Sequence, residues 1–247
     1  MAAASGRVVA GSSAATHAAT DVVVASTARA AELGPRLRAE LRLHYQPIYD
    51  LQSGAIATAV AQSLAWHRVL GDRAPKMWVN ISCDQLVEHQ GHLPALVARL
   101  LSEAGLDSDA LGLEVTERQL IRRVDDAASD LAAIRDLGVS LAVDDFGTGY
   151  ASLDYLRRFI FDEIKIDKAF VAGLGRDRTD MAVTASIVAL GRSLDLNVVA
   201  EGVETRDQYD HLQGLGCAMG QGYLMHRPAP PDAIGRLLEG KRLVEHL

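Results

Sequence analysis

The chain has 247 residues, a formal net charge of −7 and 49% hydrophobic residues. This length accommodates one α/β barrel and is sufficient to bury a substantial core. Acidic and basic residues are interspersed without a basic run, which argues against a nucleic-acid partner. No apolar run is long enough to cross a bilayer, so no contact with a membrane is expected.

Cysteine usage and the N-terminus indicate a cytoplasmic protein. Cys83 and Cys217 are far apart in the sequence and lack metal-ligand spacing, so we expect two buried thiols in a reducing compartment. No basic stretch leads into a long apolar core, and a secretory signal is therefore not expected.

The first 34 residues differ in composition from the rest of the chain. They are rich in Ala, Ser, Thr and Val without a clear period, and we predict a poorly ordered leader over residues 1–34. From Pro35 onward, strand-like and helix-like segments alternate, which predicts one domain over residues 35–247. The predicted strands are residues 43–48, 55–60, 78–81, 111–115, 140–143, 163–166, 197–200 and 218–223.

Helical patterns separate these strands. One apolar face is formed by Ala127, Leu131, Ile134 and Leu137, with Gly138 in a position that commonly ends a helix. Strands that alternate with helices of this length predict a mostly parallel sheet. Eight such strands predict an α/β fold of the TIM type, a (β/α)8 barrel.

Polar side chains stand near the carboxyl ends of most predicted strands, where barrel enzymes place their sites. Two adjacent carboxylates, Asp144 and Asp145, follow an apolar run and repel each other unless a cation lies between them. Each polar residue alone also fits a turn or a helix cap, but together they favour a site for Mg²⁺ or Mn²⁺ with a lysine suited to phosphate. The residues are Gln46, Asn80, Glu114, Asp144, Asp145, Lys165, Glu201 and Gln221.

The motifs around these residues occur in an order that resembles the EAL domain, a bacterial signalling module that hydrolyses cyclic di-GMP to linear pGpG. They extend from Leu41 to Pro230, and the ordered set is far more specific than any single motif. The matching stretches are Tyr45-Gln46-Pro47-Ile48, Val79-Asn80-Ile81-Ser82, Leu113-Glu114-Val115-Thr116-Glu117, Asp144-Asp145-Phe146-Gly147-Thr148-Gly149, Ile164-Lys165-Ile166-Asp167, Ala200-Glu201-Gly202-Val203-Glu204-Thr205 and Gly220-Gln221-Gly222-Tyr223.

The resemblance implies a phosphodiesterase with a two-metal site for Mg²⁺ or Mn²⁺, in which the cations activate a water and neutralise the phosphodiester. Lys165 would orient the attacking water, and Glu201 and Asp144 would complete the catalytic set. The implied cation ligands are Asn80, Glu114, Asp144, Asp145 and Glu201, with Asp144 as the bridging ligand.

The resemblance also implies nucleotide contacts and a positioned loop. Gln46, Glu204 and Gln221 would contact cyclic di-GMP. Glu117 would hold the loop after the fifth predicted strand, which in this family often forms a dimer contact, so a homodimer is the default expectation. The loop residues are Phe146, Gly147, Thr148, Gly149 and Tyr150.

The signature that names the family is missing at its expected place. A glutamate should end the second strand, but residues 51–83 contain no glutamate, and the alignment puts Val60 at that position. Residues 61–76 have room for one helix, so we expect the barrel to form with a shortened connection between strands 2 and 3. Loss of a carboxylate ligand is expected to weaken cation binding and to slow a two-metal reaction.

Three functional hypotheses follow. The first is a degenerate EAL domain with weak or no hydrolysis, which acts through nucleotide binding or through a protein partner. The second is an active metal-dependent phosphodiesterase that tolerates the loss, and the third is a structural interaction module that binds neither metal nor nucleotide. From the residues alone, an unrelated metal-dependent barrel hydrolase is a further alternative.

Overall fold

The structure, a computed structural model, describes residues 54–83, 92–149, 156 and 159–239, together with two short strands further upstream. Eight strands form one sheet, and their order in the sheet is their order in the chain. The first pair is antiparallel and every other neighbouring pair is parallel. The strands are β1 Val22–Val24, β2 Leu43–Tyr45, β3 Met77–Asn80, β4 Leu111–Thr116, β5 Ser140–Phe146, β6 Glu163–Ile166, β7 Asn197–Ala200 and β8 Met219–Gly220.

Helices connect the parallel strands, as the predicted α/β class requires. The last helix packs against the first, since a Cβ atom on Gly235 would lie 3.5 Å from Trp66 Nε1. In the part of the chain that the structure describes, β8 does not pair with β1. The predicted TIM-type class is confirmed as a curled, mostly parallel sheet with helices. The helices are α1 Gly54–Leu70, α2 His92–Ala104, α3 Glu117–Asp136, α4 Lys168–Ala172, α5 Arg178–Ser193, α6 Arg206–Leu215 and α7 Pro231–Leu238.

The predicted second strand, residues 55–60, is wrong, because this segment lies inside helix α1. Burial follows helical spacing, with Ile56, Ala59, Val60 and Ser63 buried at steps of three and four residues. Alanine is the strongest helix former, and this stretch is rich in it. Val60 therefore lies on the buried face of helix α1 and not at the end of a strand.

The other predicted strands differ from the structure mainly in length. β6 and β7 have the predicted bounds, and the last predicted strand is reduced to Met219–Gly220. Of the first predicted strand, residues 43–45 form β2 and residues 46–48 lie outside the described part of the chain. β8 ends at Gly220, and Gly222 just beyond it has a φ of 157°. The predicted leader, residues 1–34, lies outside the described residues except for β1.

The lower end of the sheet, at the N-terminal ends of the strands, is filled by side chains. Trp78 lies directly over Gly112, where an added Cβ atom would stand 2.4 Å from the indole ring. Lys76 Nζ donates to Ser140 Oγ at 2.5 Å beside this indole. A packed lower end is typical of barrels and leaves the carboxyl ends of the strands for the site. Within the described ranges, none of the helices combines the length and apolar character that a membrane crossing requires.

Candidate active site

An irregularity at the end of β5 brings two carboxylates to one point of the sheet. The register with β6 shifts between Val143 and Phe146, so that Asp144 and Asp145 both stand opposite Lys165. Asp145 has a left-handed backbone with a φ of 52°, which aspartate tolerates better than most residues. Its N–H donates to Asp144 Oδ1 at 3.0 Å. The bulge thus lets consecutive aspartates contribute to the same site.

Lys165 is a buried cation among three carboxylates. Its side chain is 2% exposed, and Nζ lies 2.9 Å from Glu114 Oε2, 3.2 Å from Asp144 Oδ1 and 2.5 Å from Glu201 Oε1. Burial alone would lower the pKa of Lys165, but the three carboxylates together outweigh burial and raise the pKa above its ordinary value. Lys165 is therefore an ammonium at neutral pH.

The Asp145 carboxyl takes up a proton more readily than an ordinary aspartate. Burial, a hydrogen bond with Asp167 and the charges of Asp144 and Glu201 raise the pKa of Asp145 to about 7. The side chain of Asp167 also caps the N-terminus of α4. Asp167 was not among the predicted site residues, although its place just after β6, two residues beyond Lys165, is a signal that could have identified it.

Glu117, the first residue of α3, is fully buried and holds the loop after β5. Its Oε2 accepts from the N–H groups of Gly147 and Gly149, each at 2.9 Å. Gly147 has a φ of 98°, and a Cβ atom there would lie 2.9 Å from the Phe170 ring. A Cβ atom on Gly149 would lie 2.9 Å from Ile121. The left-handed backbone therefore favours glycine at position 147, and at position 149 a larger residue would press on Ile121 and on Glu117 itself.

Two predicted polar residues lie beside the carboxylates. Asn80 ends β3, is half-buried, and its Cα pairs with that of Glu114 on β4. Gln221 is 8% exposed, and its Nε2 donates to Glu201 Oε1 at 2.7 Å. Gln221 Oε1 is also buried and has no hydrogen-bond partner among the described residues. A buried carbonyl oxygen of this kind is costly unless a ligand or a water satisfies it.

The remaining predicted residues contribute to the surroundings or lie outside the described part of the chain. Phe146 is buried at the end of β5, and Thr148 Oγ1 donates to the backbone carbonyl of the preceding bulge at 2.9 Å. Glu204 is not part of the Lys165 cluster, because its side chain is exposed in the turn before α6. Gln46 and Tyr150 lie outside the described residues.

The carboxylates fit a divalent cation. One ligand oxygen from each of Asp144, Asp145 and Glu201 can be chosen so that all three lie within 4.8 Å of one another. Oxygens on opposite sides of a six-coordinate Mg²⁺ stand about 4 Å apart, since each bond is about 2.1 Å long. A small inward movement of these side chains would therefore place three of the six oxygens around one cation. Carboxylate oxygens are the ligands that Mg²⁺ and Mn²⁺ prefer.

Comparison with known proteins identifies the fold family. A family model described as the EAL domain matches residues 55–228. The chain belongs to the EAL domain family. The EAL domain of Mycobacterium smegmatis DcpA has a TM-score of 0.78 and 29% identity, with 91% of this chain and 97% of that chain covered. The predicted family and the predicted fold are thereby confirmed.

Relatives of this EAL domain act on or bind cyclic di-GMP. Cyclic di-GMP phosphodiesterase NbdA of Pseudomonas aeruginosa is 35% identical over 240 residues, which takes in 82% of this chain and 29% of NbdA. Klebsiella pneumoniae BlrP1, solved as a manganese and cyclic di-GMP complex, has a TM-score of 0.70 and 28% identity, with 87% of this chain and 57% of that chain covered. The chain spans less than a third of the length of the curated relatives that it matches first.

Proposed function

We propose that this EAL domain binds cyclic di-GMP at the carboxyl ends of its strands and hydrolyses it weakly or not at all. The observation that carries the proposal is the arrangement of the carboxylates around Lys165. Lys165 is bonded to Glu114, Asp144 and Glu201, and only Asp144, Asp145 and Glu201 form a set of convergent carboxylates among the described residues. Gln221, one of the predicted nucleotide contacts, lies beside this set, which supports nucleotide binding at a reduced cation site.

The alignment with NbdA supports a missing segment. It extends over 240 residues but takes in only 82% of this 247-residue chain, so NbdA carries residues inside the aligned region that this chain lacks. The family match begins at residue 55, within helix α1. The partial coverage of this chain in the NbdA alignment supports the loss of a segment, which we assign to the signature strand. The glutamate of that strand would then be absent from the site.

Each retained residue has a proposed part in this function. Asp144, Asp145 and Glu201 hold one divalent cation, which supplies charge neutralisation for the phosphodiester when it is bound. Lys165 contributes a further positive charge close by, and Gln221 orients Glu201 through the 2.7 Å hydrogen bond. Cys83 and Cys217 are both buried thiols, which supports the cytoplasm as the compartment of action.

An active phosphodiesterase is the second candidate function. It is favoured by the contacts of Lys165 with Asp144 and Glu201, since these are the three residues to which the family resemblance assigns catalysis. Both candidates bind cyclic di-GMP, and they differ in the release of linear pGpG. A homodimer or a protein partner is compatible with either candidate.

Equilibrium dialysis with cyclic di-GMP and Mn²⁺ tests the binding function. We expect saturable binding of one nucleotide per chain, weakened at least tenfold in Glu201→Gln, because this change loosens the link between Gln221 and the cation site. Glu103→Gln is the matched control, because this substitution removes the same charge from an exposed position on α2. Absence of binding by the folded wild-type protein, or equal binding by Glu201→Gln, would contradict the proposal.

A further inference from the structure

The sheet has eight strands although one of the predicted strands is not part of it. Residues 55–60, predicted as the second strand, lie in helix α1. β2 pairs directly with β3 in parallel, with Leu43 opposite Met77, so no other strand lies between them. The eighth strand is β1, Val22–Val24, which pairs with the other edge of β2. The N-terminal part of the chain thus supplies the strand that brings the number to the eight of a TIM-type barrel.

β1 differs from the other strands in its direction and in its place in the sheet. Its pairing with β2 is antiparallel, whereas every other neighbouring pair of the described sheet is parallel. In the strand order, β1 lies at one end and β8 at the other. Helix α7, which follows β8, packs on α1, which precedes β3, so the two ends of the curled sheet approach each other. β1 is therefore the strand at the seam between these ends.

The pairing of β1 is limited to a short segment. Val22–Val24 is the longest run of β-branched residues among residues 1–34, and such residues favour a strand. The strand has only 3 residues, and residues 25–42 separate it from β2. Short strand pairs are marginal on their own, and closing so long a connection costs conformational entropy. β1 can therefore leave the sheet while β2 to β8 stay paired, and its departure exposes the backbone groups along the edge of β2.

We propose that the chain repairs the loss of one barrel strand by a shift of one position. β2, predicted as the first strand, takes the place of the second strand beside β3, and β1 takes the place of the first. β1 is then a detachable strand that covers the edge of β2. This role of β1 shares with the proposed function only the missing signature strand, and it requires neither nucleotide nor cation.

Cross-linking between engineered cysteines tests the pairing of β1 with β2. The Cα atoms of Val23 and His44 are partners in the two strands. Atoms so placed lie about 4.5 or 5.5 Å apart, a separation that a disulfide can span. In the presence of oxidised glutathione, we expect Val23→Cys with His44→Cys to form a disulfide within one chain, detected by mass spectrometry of the linked peptides.

Val22→Cys with His44→Cys is the matched control. Val22 is paired with Tyr45, and neighbouring residues of a strand face opposite sides of the sheet. We expect at least tenfold less linkage in this variant. Equal linkage in both variants, no linkage in either, or a link between two chains would overturn the assigned position of β1.

Hydrogen exchange tests whether β1 is detachable. Adjacent N–H groups of a strand point to opposite sides, so the double change Val22→Pro with Val23→Pro removes one N–H that faces β2 whatever the register. We expect the amides of residues 43–45 that face β1 to exchange at least tenfold faster than in the wild type, while β6 keeps its slow exchange. Val8→Pro with Val9→Pro, an equivalent pair of valines upstream of β1, is the matched control and should leave β2 unchanged.

Two outcomes of this experiment would overturn the role of β1. Unchanged exchange of residues 43–45 in Val22→Pro with Val23→Pro would show that β1 does not cover β2. Loss of protection in β6 as well would show that β1 is a fixed part of the core and not a detachable strand. Nucleotide and divalent cations are left out of both experiments, so a failure here is distinct from a failure of cyclic di-GMP binding.

Discussion

At the scale of single residues, buried charge determines what the site can do. Lys165 and Glu114 are both almost completely buried, and each is costly without a partner of opposite charge. Glu114 is fully buried beside Lys165, so removal of the lysine would leave a buried carboxylate without this cation. Lys165 and the acids around it were identified from the sequence because polar residues are rare near the ends of apolar strands. Their pairing depends on distances that a sequence does not contain.

The Glu117 clamp leads to a prediction about stability. Glu117→Ala removes the acceptor of two backbone N–H groups, those of Gly147 and Gly149. We expect the free energy of unfolding to fall by about 3 kcal/mol, since each buried donor left unsatisfied costs about 1 to 3 kcal/mol. Urea unfolding followed by circular dichroism measures this change. Glu103→Ala, on the exposed side of α2, is the control and should change it little; a similar loss in both variants would contradict the clamp.

Cys217 is expected to react slowly with thiol reagents. It is buried, and burial raises the pKa of its thiol to about 11. At pH 8 the thiolate is then about a thousandth of the population, and it becomes a large fraction only as the pH approaches 11. In a Cys83→Ala background, labelling by Ellman's reagent should be slow in the native protein and fast in denaturant. Rapid labelling of the native protein at pH 8 would contradict the burial and the raised pKa of Cys217.

At the scale of elements, helix ends and strand irregularities position the site. β6 and β7 were predicted with their observed bounds, since β6 alternates charged and apolar residues and β7 contains the apolar run Val198–Ala200. Residues 55–60 were predicted as a strand because a short Ala- and Val-rich run fits a strand or a helix. The burial of Ile56, Ala59 and Ser63 in the structure shows the helical spacing. The bulge at Asp144 and Asp145 has no reliable sequence signature, because it depends on the pairing of β5 with β6.

Helix α6 begins with a capping box that can be tested. Thr205 accepts from the Gln208 N–H, and the Gln208 side chain accepts from the Thr205 N–H at 2.9 Å. Thr205→Ala should lower the free energy of unfolding by about 1 kcal/mol, as loss of an N-cap typically does. Thr205→Ser keeps the hydroxyl and should restore most of the stability. Equal urea midpoints for the wild type and Thr205→Ala would mean that the cap does not contribute.

At the scale of the whole molecule, the described strands and helices share one buried apolar core. The class of fold was predictable because alternating strand and helix patterns leave few topologies. The single 17-residue helix Gly54–Leu70 before β3 was not predicted, because its first residues also fit a strand. Packing of α7 on α1 brings the two ends of the described domain together. This contact depends on tertiary structure and not on local pattern.

The packing of α1 against α7 predicts that replacement of Trp66 strongly lowers stability. The indole is 5% exposed and lies against Gly235 of α7. Trp66→Ala should cost about 3 to 5 kcal/mol of unfolding free energy through lost packing and a cavity. Val69→Ala on the same helix is the control, because Val69 is 61% exposed and should matter little. A cost below about 1 kcal/mol for Trp66→Ala would contradict the packing of α1 and α7.

The rate of pGpG formation from cyclic di-GMP by the purified protein with Mn²⁺ tests the central claim most directly. Chromatography of the products at high protein concentration, with Asp144→Ala as the control, separates a weak activity from background. The account predicts that the wild type binds the nucleotide and releases pGpG no faster than about ten times the control. Rapid release of pGpG by the wild type that disappears in Asp144→Ala would contradict it and establish an active phosphodiesterase.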